Sequence, residues 1–332
     1  MKHFCKILLS VLLCAALIFM PVMAEEAETK PESSYIKWLD FDVTAPMLRE
    51  AAELDILSHG GGGEDAVVWY ELLALYAARC GGVFSSYKKG DLKTLCETAP
   101  EHGGVDAWGQ GLENAKTYRF YKEGYAAVLS GMLGEYREYR DGAWVDCYGV
   151  KAYSPIASGF SYTHYDDYGA SRSYGYQRHH EGHDMLGDVG TPITAVESGI
   201  VEACGWNQYG GWRIGIRSFD GQRYYYYAHL RRGHPYNDMY EGKIVSAGEV
   251  IGYLGMTGYS AKEDVNNIDT PHLHFGMELI FAPEQKDAVC QIWIDCYALT
   301  QFLDGYRAKV SYDEASGEWY AVGLHDDPSL PD

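Results

Sequence analysis

From about Val150 onward the chain runs in short stretches of period two, separated by glycine and Asp-Gly. Ile193 to Cys204, Trp212 to Ser218 and Gln222 to Leu230 read as strands, and Asp220-Gly221 marks a hairpin turn between the last two. Ile244-Val245, Val250-Ile251 and His272 to Leu279 continue the series, with Gly199, Gly242, Gly248 and Gly258 where turns or bulges fall. The connections leave no room for crossover helices, so these strands are expected to pair antiparallel.

The preceding residues have a helical period instead. Thr44 can cap a helix whose one face carries Met47, Leu48, Ala51, Ala52 and Ile56. A second helix is expected from about Asp65 to Cys80, stopped by Gly81-Gly82, and a short third from Asp91 to before Pro100. A fourth places Tyr118, Tyr121, Tyr125, Leu129 and Leu133 along one stripe. None of these faces shows a cluster of titratable groups. The run Gly60 to Gly63 has no strand before it and no Lys-Ser/Thr after it, which makes it a turn and not a phosphate cradle. The expected class is α+β: a helical domain over 35–149, an antiparallel β domain over 150–305, and a C-terminal tail over 306–332.

The N-terminus points to export. Lys2 and Lys6 precede an apolar run from Ile7 to Met20, then Pro21-Val22-Met23-Ala24 and two glutamates. A basic start, a short apolar core and a small residue before the acids describe a secretory signal peptide, residues 1–24, cut after Ala24. Fourteen helical residues reach about 21 Å, short of the roughly 30 Å hydrocarbon core, so membrane association is expected only if the leader stays uncleaved. Bulky Leu13 before Cys14 argues against a lipoprotein signal. Residues 25–34 follow as a polar, acidic linker. The expected location is secreted or cell-envelope.

Cleavage removes two lysines and no acids, so the formal charge of −20 becomes −22. Such a chain repels a polyanion, which sets nucleic acid aside as a partner. Six cysteines remain after the leader: Cys80, Cys96, Cys147, Cys204, Cys290 and Cys296. Disulfides and buried thiols are both open readings, and without a CxxC pair a cysteine zinc site is not indicated.

The chemistry-bearing residues fall in three clusters of the β half. They are His180-Glu181-Gly182-His183-Asp184, Tyr227-Ala228-His229-Leu230 and Pro271-His272-Leu273-His274-Phe275. In a strand, residues i and i+2 share a face, so His272 and His274 can converge. The first cluster nearly matches the helical H-E-x-x-H pattern, but its fifth residue is Asp184, and Gly182 disfavours a helix. Two imidazoles and a carboxylate with an open fourth position would describe a catalytic zinc, whereas a structural zinc normally takes four protein ligands.

Together these motifs resemble the lysostaphin/LytM-type zinc endopeptidases, peptidase family M23. The resemblance covers roughly residues 150–300. It includes His180-x-Gly-x-Asp184, Gly190-Thr191-Pro192-Ile193-x-Ala195, Gly199-x-Val201, Tyr227-x-His229-Leu230, Gly255-x-Thr257-Gly258 and Pro271-His272-x-His274-Phe275. It implies a small antiparallel β fold with a groove across it. It makes His180, Asp184 and His274 the Zn²⁺ ligands, and His229 and His272 the catalytic histidines beside an activated water. The implied activity is hydrolysis of peptide bonds in bacterial cell-wall peptidoglycan, on Gly-containing or D-amino-acid-containing peptides. An alternative within the same resemblance is a non-cleaving envelope scaffold or hydrolase activator, but all five site residues are present.

The sequence departs from the family in a longer segment between Gly258 and Pro271, expected as a specificity wall or a surface insertion. The stretch from Tyr162 to Asp167 and the run Tyr224 to Tyr227 bring aromatics toward the groove, divided between packing and substrate contact. Of the remaining histidines (His164, His179, His183 and His234), His183 is the best placed to support the metal, with solvent exposure the stronger expectation. Residues 35–149 show no wall-binding repeat and are expected as an adaptor or an occluding domain.

Overall fold

A computed structural model describes residues 35–60, 66–98, 104–174 and 176–327. The expected leader, its cleavage point, the acidic linker and Gly61 to Gly63 lie outside the described residues. The helices are α1 (Ala45–His59), α2 (Trp69–Cys80), α3 (Asp91–Glu97), α4 (Gly104–Gln110), α5 (Ala115–Leu129) and α6 (Tyr297–Leu303). Among the described residues no helix is long and apolar enough to cross a membrane.

In α1, Met47, Leu48, Ala51 and Ala52 are buried, as the spacing requires. Thr44 occupies the N-cap position, yet its side chain makes no capping bond. The same helix buries two acids that the apolar reading passed over, Glu50 and Asp55. Asp55 accepts the first N–H of α2, Trp69 N, at 2.8 Å, and Glu50 accepts Gly90 N and Lys93 N at 3.1 Å at the start of α3. Neither following helix has a capping side chain of its own. The carboxylates of α1 therefore serve their orphan N–H groups from across the helix pair, which is where a negative charge complements a helix dipole. That explains why titratable groups sit on this face without forming a reactive site. Helix α2 stops at Gly81, whose φ of 66° is the left-handed C-cap glycine favours.

Two expectations change here. Helix α5 ends at Leu129, so Leu133 opens a strand instead of extending the helical stripe. Strands β1 (Leu133–Arg140) and β2 (Ala143–Val150) form a hairpin inside the half expected to be helical. Its turn, Asp141-Gly142, has positive φ at both positions (51° and 87°), as a two-residue primed turn needs.

The remaining strands are β3 (Tyr162–Tyr165), β4 (Ser171–Tyr174), β5 (Tyr176–His179), β6 (His183–Gly187), β7 (Pro192–Thr194), β8 (Gly199–Asn207), β9 (Gly211–Ser218), β10 (Arg223–Ala228), β11 (Ile244–Val245), β12 (Val250–Tyr253), β13 (His272–Leu279), β14 (Ile292–Trp293), β15 (Lys309–Asp313) and β16 (Glu318–Val322). The main sheet runs β11-β8-β9-β10-β13-β6-β3, with β14 pairing the end of β13, and every pairing is antiparallel. The run expected as one strand from Ile193 to Cys204 divides: β7 pairs with β12 in a separate two-stranded sheet, and β8 starts only at Gly199. Between them Val196 N takes the Tyr227 hydroxyl at 2.9 Å and Glu197 turns to Arg223, so these residues bond outside a ladder.

Alternation decides which face of the sheet is wet. In β13, Leu273, Phe275, Met277 and Leu279 are fully buried, and in β10 Tyr225 and Tyr227 are fully buried beside them. The alternate residues, His272, His274, Tyr224 and Tyr226, must then share the opposite face. The described residues from 35 to 327 hold together as one compact unit, with Trp69 of α2 against Phe302 of α6, ring centroids 5.8 Å apart.

Candidate active site

Register brings the three motifs together. His274 of β13 lies directly opposite Asp184 of β6 on one side and Ala228 of β10 on the other, and His229 follows Ala228. His180 enters from the end of β5. Its Nε2 is 2.8 Å from His274 Nδ1 and 3.0 Å from Asp184 Oδ1, and His274 Nδ1 is 3.1 Å from that same oxygen. Among the described residues these three form the group of acidic, histidine and cysteine side chains placed to hold a metal ion. Gly182 makes the approach possible: a Cβ there would stand 2.5 Å from His274 Cε1 and 2.9 Å from the Phe275 carbonyl.

Donor atoms each about 2.0–2.1 Å from a tetrahedral ion stand about 3.3 Å apart. The observed edges of 2.8, 3.0 and 3.1 Å need only a few tenths of an ångström of expansion. The far side of His180 is also held, with Nδ1 3.3 Å from the Asp167 carbonyl and 3.1 Å from its carboxylate. The carbonyl fixes the ring, and the carboxylate, which makes no hydrogen bond through Oδ1, raises its basicity by charge. By donor chemistry, spacing and support, the cluster fits a divalent cation.

The two other expected residues line the same groove. His229 Nδ1 donates to the Thr257 carbonyl at 2.8 Å, and its ring lies 4.8 Å from that of His272 and 5.8 Å from that of His274. His272 Nδ1 donates to the Thr270 carbonyl at 2.8 Å, and its Nε2 is 3.7 Å from Asp184 Oδ1. A carbonyl can only accept, so in the neutral ring each Nδ1 carries the proton and each Nε2 is a bare acceptor.

The electrostatics follow burial and charge. Burial would raise the Asp184 carboxyl, but hydrogen bonds from His180 and His274 override it and hold the group well below the usual carboxylate range. Burial works to lower His180 as well, and the hydrogen bond and charge of Asp184, with Asp167, raise it instead. His229 is pushed well below an ordinary histidine, first by burial and then by His272 and His274.

The groove has a volume of about 670 Å³. Tyr224 and Tyr226 line it, whereas Tyr225 and Tyr227 belong to the core, so the tyrosine run divides strictly by parity. Of the extra segment after Gly258, Tyr259 lines the groove; Asp264 is tied back to Trp212 Nε1 at 2.9 Å and Gly233 N at 2.7 Å. His183, expected to face solvent, is 1% exposed. It points away from Asp184 to the other face of β6 and meets His164 Nδ1 at 2.8 Å, while His164 Nε2 meets Asp304 at 3.0 Å. His234 is paired with Glu318 and is not in the groove lining. Sequence reading passed over Arg172, Arg178, Tyr209 and Trp293, and took Asp167 only as the end of an aromatic stretch. The β4–β5 hairpin and the β8–β9 turn bring most of these in, and no local spacing announces them. The six cysteines are all free thiols.

Residues 178–287 match the family described as peptidase family M23. This segment belongs to M23. The M23 segment is 41% identical over 126 residues to an L-Ala–D-Glu endopeptidase of Bacillus subtilis, a match covering 37% of this chain and 36% of that protein. It is 40% identical over 97 residues to lysostaphin of Staphylococcus simulans, covering 29% and 17%. The chain thus spans about a third or less of the length of these curated relatives. At the level of fold, a LytM protein from Ruminococcus gnavus, provisionally assigned as a glycyl-glycine endopeptidase, superposes with a TM-score of 0.54 at 22% identity, over 84% of this chain and 95% of that one. The likeness therefore takes in the helical region as well as the M23 segment, and the α+β architecture is that of a known solved structure.

Proposed function

We propose that this chain is an exported zinc endopeptidase that hydrolyses peptide bonds of bacterial peptidoglycan. The observation that carries the reading is the convergence of His180 Nε2, His274 Nδ1 and Asp184 Oδ1 in a groove that also receives His229 and His272. The M23 match and relatives named as an L-Ala–D-Glu endopeptidase and as lysostaphin support the substrate class. The leader read from residues 1–24 supports delivery to the wall.

In this reading His180, Asp184 and His274 hold the ion. The chemistry zinc supplies when bound is Lewis acidity toward a carbonyl and a water whose pKa falls to about 7. Everything else falls to the chain. Its groove lays an extended peptide across β10 and β13. His229, kept neutral by burial and with its Nδ1 proton committed to Thr257, presents Nε2 as the acceptor for the proton of the attacking water, and can return it to the leaving amine. His272 has the same tautomer and stands closer to Asp184, where its edge can orient the reacting group. Among the described residues none of the groove lining comes from 35–149, so we read that region as support for the sheet and not as a lid.

The test is digestion of purified peptidoglycan by residues 25–332, with products identified by mass spectrometry. New peptide termini should appear, vanish with chelator and return with zinc. A zinc-loaded protein that binds the wall but releases no peptide termini would establish the scaffold alternative.

A further inference from the structure

The groove holds four cations, and three are paired. Arg172 meets Asp167 and lies 3.5 Å from Asp184, Arg217 pairs with Glu202 at 2.6 Å, and Lys286 approaches the same Glu202 at 3.7 Å. Arg178 makes no direct ion pair among the described residues; the acid that feels its charge is Glu181, whose carboxyl burial raises and this guanidinium lowers from a distance. Its Nη2 donates to the Tyr259 hydroxyl at 3.0 Å, while its Nη1 is enclosed and makes no hydrogen bond. The guanidinium carbon sits 5.3 Å from the Tyr209 ring and 5.3 Å from the Tyr259 ring. A chain with 47 acidic residues against 27 basic ones does not leave this arginine unpaired for want of acids.

Two features of this guanidinium point to a ligand. Two tyrosines from separate loops hold the planar fork in place, so little side-chain entropy is left to lose when a carboxylate arrives. An enclosed N–H without an acceptor is costly, and a carboxylate would satisfy it with a charge-assisted bond. Tyr259 also connects this position to the reacting centre, since its ring is 5.8 Å from that of His229. The guanidinium is therefore within about three extended residues of His229, at 3.3–3.6 Å per residue.

We infer that Arg178 anchors a free carboxylate of the peptide substrate, within about three residues of the bond that is cut. This deepens the proposed function and rests on it: the substrates would be acidic peptides, discriminated from their carboxamide counterparts. Tyr209 and Tyr259 are positioning residues for that anchor. The segment after Gly258 then contributes to specificity through its first residue alone.

The experiment compares purified peptidoglycan with the same material after carbodiimide-driven conversion of its carboxylates to carboxamides. The wild-type full chain, loaded with zinc, should release peptide termini about tenfold or more faster from the untreated wall. In Arg178→Gln that preference should fall below about twofold, and in Arg178→Lys, which keeps the charge but loses the fork, it should fall several-fold. Thermal unfolding checks that each variant is folded, and Arg178→Lys decides if the glutamine variant is not. Equal release by the wild type from both walls, or a full preference retained in a folded variant, would overturn the anchor. If the wild type cuts neither wall, the hydrolase reading fails separately. Binding of soluble stem peptides and their amidated forms, followed by intrinsic fluorescence, then decides the anchor: a preference for the carboxylate that Arg178→Gln abolishes upholds it, and no preference overturns it.

Discussion

His229 sits at φ 62°, a left-handed backbone that a non-glycine residue adopts only when its surroundings enforce it. They do so here from two sides: its N–H donates to the Gly210 carbonyl at 2.7 Å and its ring to Thr257 at 2.8 Å. The strained turn sets the ring in the groove lining, while the candidate metal triangle is complete without it. Replacing His229 by Ala should therefore leave zinc stoichiometry unchanged and lower kcat by about 10²–10⁴-fold, the range for a lost general base. Metal analysis and steady-state rates on one preparation test both halves, and unchanged turnover would remove His229 from the reaction. The sign of the pH dependence follows from burial. A base held below an ordinary histidine stays unprotonated as pH falls through 6.5, so with zinc in excess His229 should add no loss of kcat/KM at that value, and any acid limb there belongs to another group. The motifs announced this residue, but not its tautomer, which depends on a carbonyl far along the chain.

At the scale of elements, what was legible is what alternates. Strand β13 was read to its residue limits because four fully buried apolar residues interleave with its histidines, and β9 and β10 were found on the same signal. Seven-residue helices such as α4 and α6 are too short to show a period, and they stand only by packing on longer elements. The β1–β2 hairpin carried the Asp141-Gly142 turn signal openly, but β1 is largely charged and β2 carries apolar residues on both faces, which hid the alternation. The candidate metal site was legible for the same local reason as β13, since HxGxD and HxH each lie within one strand or its edge. The Arg178 stack was not, because Tyr209 and Tyr259 reach it through tertiary turns. Gly182 shows how tightly β5, β6 and β13 are fitted. In Gly182→Ala the added methyl would collide with the His274 ring and with backbone that cannot yield. The variant should stay folded, because the collision is at the groove face and not in the core, yet bind zinc at least tenfold more weakly, at the level seen when a group orienting a ligand is removed. Competition with a chromophoric chelator measures this; wild-type affinity would show that the loop can move aside.

Across the whole molecule, one buried arginine ties the helical region to the sheet. Arg223 is 1% exposed. Its Nη1 donates to the Ala127 carbonyl at 2.8 Å, in the last turn of α5, where carbonyls lack partners within the helix. Its Nε and Nη2 reach Glu197 at 2.7 and 3.0 Å, and Nη2 also reaches Asp220 at 2.7 Å. Burial opposes the charge, but Glu197, Tyr225 and Asp220 outweigh it, so the guanidinium stays ionised. Removing it leaves Glu197 in a largely buried place with its charge uncompensated and an α5 carbonyl without a donor. Arg223→Met should then lower the unfolding free energy by about 3–5 kcal/mol, the cost of breaking a buried pair by deleting one partner. Arg223→Met/Glu197→Met should recover most of that loss, because replacing both charges by apolar groups of similar volume is often close to neutral. Urea titrations followed by far-ultraviolet circular dichroism and by tryptophan fluorescence give both values. They also test the unity of the fold: if the arginine joins helices and sheet into one cooperative body, the two probes coincide in the wild type and separate in the single variant. A single variant within 1 kcal/mol of wild type would mean that apolar contacts such as Trp69 on Phe302 suffice to hold the two regions together.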